Sequence, residues 1–228
     1  MATLSVTNIF NLSKATLVKF GALDWIADAV ADAIANSESV GNRICGLYYL
    51  ESYCLQLKSG RVRGDIEPIV SQEKAGIVRV DAKFGFAQPA FQKGIVPARE
   101  AALKNGICSL AIGHAHTCTS LGYFTEQIAK SNLIGIGFTN ASPIVAAPGG
   151  KSRIIGTNPI AFSVPDGKGN TVIHFDQSTT AVALGKITMA KAAGEKIPFG
   201  WALDKNGEPT ADPEAALEGS LVSSGGYK

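Results

Sequence analysis

The sequence predicts a mixed fold, α/β in its first part and α+β in its second. Three observations predict it. Residues 13–36 carry apolar side chains at helical spacing, and residues 76–140 alternate between helix-length and strand-length segments. After Gly149-Gly150 the rhythm changes to two strand-like pieces joined by a turn of hairpin length. The chain has 228 residues, 46% of them hydrophobic, enough to bury a large core in one globular body of one or two domains.

Residues 13–36, SKATLVKFGALDWIADAVADAIAN, place Leu17, Phe20, Leu23, Ile26, Ala27 and Val30 at helical spacing and predict one amphipathic helix. A second helix is expected through LYYLESYCLQLKSG, stopping near Gly60. GIVRVDAKFGF alternates and reads as a strand entering a Gly-rich turn. FQKGIVPAREAALKNG reads as a helix with Pro97 in or near its first turn, where a missing N–H is tolerated. GICSLAIGHAH follows as a strand, SLGYFTEQIAKSN as a helix and LIGIGFTN as a strand. NPIAFSVP and NTVIHFDQS flank DGKGN as an antiparallel hairpin. A helix around TAVALGKITMAKAAG and an irregular stretch, IPFGWALDKNGEPTADPEAALEGS, come next.

Composition narrows the function. A net charge of +2 from scattered Lys and Arg is too mild for nucleic acid or an anionic membrane as the main partner. No apolar run approaches the ~20 residues of a membrane span. The opening residues MATLSVTNIFNLSKATLVKF lack the apolar core and cleavage site of a signal peptide. Cys45, Cys54, Cys108 and Cys118 form no C-x-x-C pair and read as reduced thiols. A soluble, cytoplasmic protein is expected.

The densest chemistry lies in GHAHTCTSLGYF, residues 113–124. His114 and His116 would share one face of a strand. Zinc needs a third ligand, however, and no nearby Asp or Glu supplies it, so no metal is expected. Thr117–Gly122 leads from strand to helix, with Thr119 or Ser120 as the N-cap. Such a helix N-terminus suits a diphosphate, or is simply a capped helix. Gly135-Ile136-Gly137-Phe138-Thr139-Asn140 begins a G-x-G-x-x-G fingerprint but has Asn in the last place. The glycines of APGGKSRIIGTNP predict a tight loop that turns Thr157 and Asn158 inward, or a surface turn. Asp176 can accept from a ribose hydroxyl or cap the segment after it.

Together these segments resemble a known family. AHTCTSLGYFTEQIA, LIGIGFTNASPIVAAPGGKSRIIGTNPIAFSVP, HFDQSTTAVALGKI, ALDKNGEPTADPEAALEG and GGYK follow, in order and near-spacing, the malate/L-lactate dehydrogenase family unrelated to Rossmann-type lactate dehydrogenases. That family includes sulfolactate and ureidoglycolate dehydrogenases, a diketogulonate reductase and piperideine/pyrroline-2-carboxylate reductases. The resemblance implies hydride transfer between NADPH or NADH and a small 2-oxo acid or cyclic imino acid. It implies a largely antiparallel cofactor sheet in a two- or three-domain fold, and a homodimer. Residues 1–120 would form the substrate and dimerisation domain and residues 121–228 the cofactor domain. Carried onto this chain, Cys118, Thr119, Ser120, Leu121, Gly122, Asp176, Gln177, Ser178, Tyr227 and Lys228 would touch the cofactor. Thr157, Leu184 and Gly185 would hold substrate, and His116 would accept a proton.

Two departures stand out. The family pattern places Ser-His-Gly and then Arg after the first long helix, as proton donor with its support and carboxylate clamp. Here GNRICGLYYLESY puts Ile44, Cys45 and Tyr49 in those places, with Gly46, Leu50 and Tyr53 keeping the frame. A thiol can donate a proton, and Tyr49 or Arg43 can face a carboxylate, but Ile44 relays nothing. Cys45 and His116 are thus the catalytic candidates, with Tyr49 and Arg43 as substrate contacts. The family pattern also continues beyond GGYK, which predicts an incomplete nicotinamide site and exposed apolar surface in this chain.

Overall fold

Where a single helix is expected over residues 13–36, the computed structural model, which describes residues 3–224, has two: α1 (Val6–Lys19) and α2 (Asp24–Ser39). Gly21 takes φ +100°, and the Ala22 N–H returns to the Leu17 carbonyl, so the chain stops one helix and reverses into the next. The helical spacing of apolar residues survives because both helices face the same core. Leu17, Ile26, Val30 and Ile34 pack there with Tyr53 and Phe86.

Two short 3-10 turns, Arg43–Cys45 and Leu47–Tyr49, lead into α3 (Leu50–Lys58), which ends just before Gly60 at φ +71°. The Glu38 carboxylate accepts the Leu47 N–H at 2.8 Å and pins these turns to the end of α2. A first sheet has the order β1-β2-β3, with β1 (Ile69–Lys74) antiparallel to β2 (Ile77–Asp81) and β2 parallel to β3 (Ser109–Gly113). The crossover between β2 and β3 is α4 (Ala87–Asn105), as a parallel pair requires. Pro97 lies inside α4 rather than near its start, because the helix begins ten residues earlier. A Cβ on Gly94 would lie 2.6 Å from Val80, so glycine is what lets α4 lie flat on the sheet.

After β3 come α5 (Gly122–Ala129) and β4 (Gly135–Phe138), then β5 (Val145–Ala146) and β6 (Arg153–Ile155). The expected hairpin is β7 (Ile160–Pro165) with β8 (Thr171–Gln177), antiparallel throughout. With β4 on its other side, β7 centres an antiparallel sheet of order β4-β7-β8. Helix α6 (Leu184–Ala193) follows. The stretch expected to be irregular contains β9 (Ala202–Leu203), β10 (Pro209–Thr210), α7 (Pro213–Glu218) and β11 (Ser220–Leu221). These strands are two residues each, too short to show a period, and they close a sheet of order β10-β9-β11-β5-β6. Helix α7 starts on the Asp212 side chain, which accepts the Glu214 N–H at 2.9 Å, with Pro213 in its first position.

The two faces of β4-β7-β8 differ. Gly135, Gly137, Ala161 and Ser163 face α5, and their small size admits the helix. Ile136, Phe138, Ile173 and Phe175 point the other way and are exposed, with Phe162 stacked on Phe175 at 5.9 Å between centroids. Helix α5 is held to α2 by the Tyr123 hydroxyl, which donates to Asp32 at 2.7 Å. A core of Ala33, Ala87, Phe91, Leu121, Phe124 and Ala161 spans both sides of residue 120. No described helix is long and apolar enough to cross a membrane.

Candidate functional site

The loop between β3 and α5 meets the end of β8 at the first turn of α5. Neither Thr119 nor Ser120 is the N-cap. The residue before the helix is Leu121, which makes no side-chain cap. Asp176 reaches across from β8 instead. Its Oδ2 accepts the Gly122 N–H at 2.8 Å and the Ser120 hydroxyl at 3.2 Å. So Asp176 does cap a helix, though not the segment after it. In this arrangement the Asp176 carboxylate takes the Gly122 N–H that an anion would otherwise use.

Gly122 makes this junction close. A Cβ there would lie 2.9 Å from both the Asp176 Cβ and the His174 ring. His174 and Asp176 stand two apart on β8 and share the α5 side, as strand alternation requires. His174 Nδ1 lies 2.8 Å from the Ser163 hydroxyl, which donates to Thr125 at 2.8 Å, and Thr125 donates to the Gly122 carbonyl at 3.2 Å. Both hydroxyl protons are thereby used, so Nδ1 must be the donor to Ser163. Asp176 and this chain fix the N–H and the carbonyl of Gly122 from the same strand.

The strand ends before the histidines. His114 takes φ +49° and contacts Asp81 at 3.0 Å, a carboxylate that linear sequence did not place near it. His116 is half-buried, its N–H donating to the Gly85 carbonyl at 2.8 Å. Its ring stands edge-on to Tyr53 and Phe86, each 5.9 Å away between centroids. Burial, with the Arg61 charge added, holds its pKa below the ordinary histidine value. Its Nε2 is buried without a hydrogen-bond partner, as are the Tyr53 hydroxyl and Gln88 Oε1. Each such atom costs about 1–3 kcal/mol when neither protein nor water pairs it, and Tyr53 and His116 hold two of them side by side.

Opposite the loop, the 3-10 turns bring in Cys45 and Tyr49. Burial pushes the Cys45 thiol up to about 12, and the nearby Asp176 charge adds to the effect. Cys118 is pushed up to about 11 by the same two causes. Tyr49 and Tyr53 are raised chiefly by burial, with Cys45 and Cys118 among their neighbours. All four are therefore neutral at pH 7, and the Tyr53 hydroxyl lies beside Thr119, itself strained at φ +57°. Ile44 closes the far side, its Cγ2 3.0 Å from where a Gly185 Cβ would be, which brings Leu184-Gly185 to the same wall. Arg43 is exposed on the first 3-10 turn.

The remaining expected residues lie along the end of β8. Gln177 alternates to the open face of the sheet, away from Asp176. The Ser178 hydroxyl pairs with Thr180 at 2.9 Å, and the Thr157 carbonyl accepts both the N–H and the hydroxyl of Thr179. The Asn158 side chain accepts the Ala141 N–H at 2.9 Å, an exposed contact within the loop. Tyr227 and Lys228 lie outside the described residues. Residues the sequence reading did not single out are Gln88, His174, Ser163 and Glu38. His174 had a signal, being the second titratable residue on one face of a strand, and so had Gln88, a lone polar residue in the apolar run FGFAQPAF.

Comparison with known proteins gives this geometry a context. The chain is 40% identical over 226 residues to a (2R)-3-sulfolactate dehydrogenase (NADP(+)) of Chromohalobacter salexigens, covering 99% of this chain and 67% of that protein. It is 37% identical to a Δ1-pyrroline-2-carboxylate reductase of Ancylobacter novellus, covering 99% and 66%. Among solved structures, a Δ1-piperideine-2-carboxylate reductase from Pseudomonas syringae superposes with a TM-score of 0.94 at 33% identity, over 100% of this chain and 68% of that one. The chain thus spans about two thirds of the length of the relatives it matches. The sequence pattern of the family described as malate/L-lactate dehydrogenase matches residues 4–228, and the chain belongs to that family.

Proposed function

We propose that this chain carries the cofactor loop and substrate wall of a reductase moving a hydride from NADPH or NADH to a small cyclic imino acid or 2-oxo acid. A pyrroline- or piperideine-2-carboxylate type of substrate is the preferred reading. The observation that carries it is the meeting of two segments, which places Cys45 near Asp176 and Cys118. One side keeps a polar, tightly fixed loop, and the other has exchanged its expected donor, support and clamp for Cys45, Ile44 and Tyr49.

Cys118, Thr119, Ser120, Leu121 and Gly122, with Asp176, Gln177 and Ser178, would hold the cofactor. The fit is supported by Gly122, whose missing side chain lets loop and strand form one wall, and by the unpaired polar atoms behind it. Bound nicotinamide supplies the hydride. The chain's part is to position the acceptor carbon and manage one proton. Cys45 is a poor acid with its thiol pushed up to about 12. His116 takes the proton-transfer role: burial favours its neutral form, which accepts the proton in the oxidative direction, and in reduction it donates only after taking a proton from solvent. A cyclic imine can arrive already protonated, which asks less of the acid than a ketone does. The half-buried Tyr49 ring, backed by Tyr53, suits the flat ring of such a substrate and its cationic form.

Arg43 favours a second reading, a malate- or lactate-type dehydrogenase whose carboxylate clamp has moved to Arg43. A third, non-catalytic nucleotide binding, follows if the rebuilt wall turns nothing over. The four cysteines, all free, support a cytoplasmic setting, and the open apolar face of β4-β7-β8 supports a homodimer. Oxidation of NADPH and NADH is the test, against pyruvate, oxaloacetate, a sugar-derived 2-oxo acid and both cyclic imines. Turnover confined to the imines supports the first reading, and turnover confined to the oxo acids supports the second. Cofactor binding without turnover supports the third.

A further inference from the structure

The loop and His116 share one neighbour that the reaction has not yet used. Gln88, in the first turn of α4, is 1% exposed. Its Nε2 donates to the Cys118 carbonyl at 3.3 Å, while its Oε1 is buried and unpaired. His116 precedes Cys118 by two residues, and its Nε2 is also buried and unpaired. The backbones are already joined there, through the bridge between Phe86 and His116 and the hydrogen bond from His116 to Gly85. Oε1 of a glutamine can only accept, and a protonated ring nitrogen can only donate, so the two orphans are complementary.

We propose that Gln88 is a positioning residue: its Oε1 accepts the Nε2–H of His116 through one bridging water, while its Nε2–H holds the Cys118 carbonyl. A single buried amide then ties the proton-transfer group to the cofactor loop. The neutral imidazole carries its proton on Nε2, and Nδ1 is left to the ligand side. The Tyr53 hydroxyl is the rival partner, but Thr119, Cys45, Tyr49 and Cys118 surround it. The groups acting on the ring are Arg61 from the segment after α3, Tyr53 from α3, and Phe86 from the entry to α4. None of them is a carboxylate, so no counter-charge competes with the amide.

This inference rests on His116 as the proton-transfer group, yet its test does not need turnover. The imidazole nitrogens of the ¹⁵N-labelled chain are followed by NMR against pH in wild type, Gln88→Met and Gln88→Glu. The wild type should show His116 with its proton on Nε2. Gln88→Glu should keep that tautomer and raise the His116 titration midpoint by about one pH unit, since a carboxylate then faces the ring. Gln88→Met should mix the tautomers. If Gln88→Met does not fold, Gln88→Glu carries the test alone. A wild-type proton on Nδ1, or an unmoved midpoint in folded Gln88→Glu, overturns the proposal. Unchanged tautomers in Gln88→Met also overturn it and make Tyr53 the partner. An enzyme silent on every substrate but showing the expected spectra would fail the functional reading while leaving the Gln88 contact standing.

Discussion

On one side of the site, residues 43–53 place Ile44, Cys45 and Tyr49, with Tyr53 buried behind them, neutral groups governed by burial. On the other, the loop from His116 to Gly122 meets His174 and Asp176, and hydrogen bonds fix both backbone groups of Gly122. The first wall can change its side chains without disturbing the backbone, because Glu38 pins its turns from behind. The second cannot, since Asp176 holds Ser120 and Gly122, and the Gly122 carbonyl is held in turn through Thr125, Ser163 and His174. Side-chain changes are therefore better tolerated on the first wall than on the second.

The difference between the walls can be broken most sharply at the proton. His116→Ala should lower turnover about a hundredfold, the usual size of an acid–base contribution, while Cys45→Ala should lower it only a few fold. A smaller effect, on stability, comes from Gly122→Ala, which drives a Cβ to 2.9 Å from the Asp176 Cβ. It should cost about 2–3 kcal/mol in urea unfolding. Asp176→Asn should cost about 1–2 kcal/mol by weakening the α5 cap. It should also lower both thiol pKa values, since the Asp176 charge adds to burial in raising Cys45 and Cys118. Alkylation by iodoacetamide at fixed alkaline pH should then speed up at both cysteines. Tyr123→Phe, away from the site, should cost about 1 kcal/mol for its lost bond to Asp32 and leave alkylation unchanged.

The smallest effect is on pH. The His116 pKa is lowered in the fold, so between its native and unfolded values the unfolded chain binds the extra proton. Stability should fall as pH drops below about 6.5 and level off below the native value. Urea midpoints across pH should show this in the wild type and lose part of it in His116→Asn.

Much of the fold was legible, and the exceptions have physical causes. The β7–β8 hairpin announced itself by a turn of the right length between alternating strands. The break at Gly21 did not, because apolar spacing runs through a reversal when both helices share a core. The two-residue strands β9, β10 and β11 have no period to read. At the site, Gly122 and Asp176 were legible as members of a motif, but not that one caps the other from 54 residues away. Gln88 and Tyr53 matter through unpaired atoms, which appear only once the chain is folded.

The most direct test compares steady-state NADPH oxidation with pyrroline-2-carboxylate by His116→Ala and Cys45→Ala, side by side with the wild type. The account predicts a loss of about a hundredfold in the first and near-wild-type turnover in the second. The reverse order would show that the rebuilt wall, not the retained one, handles the proton, and would contradict it.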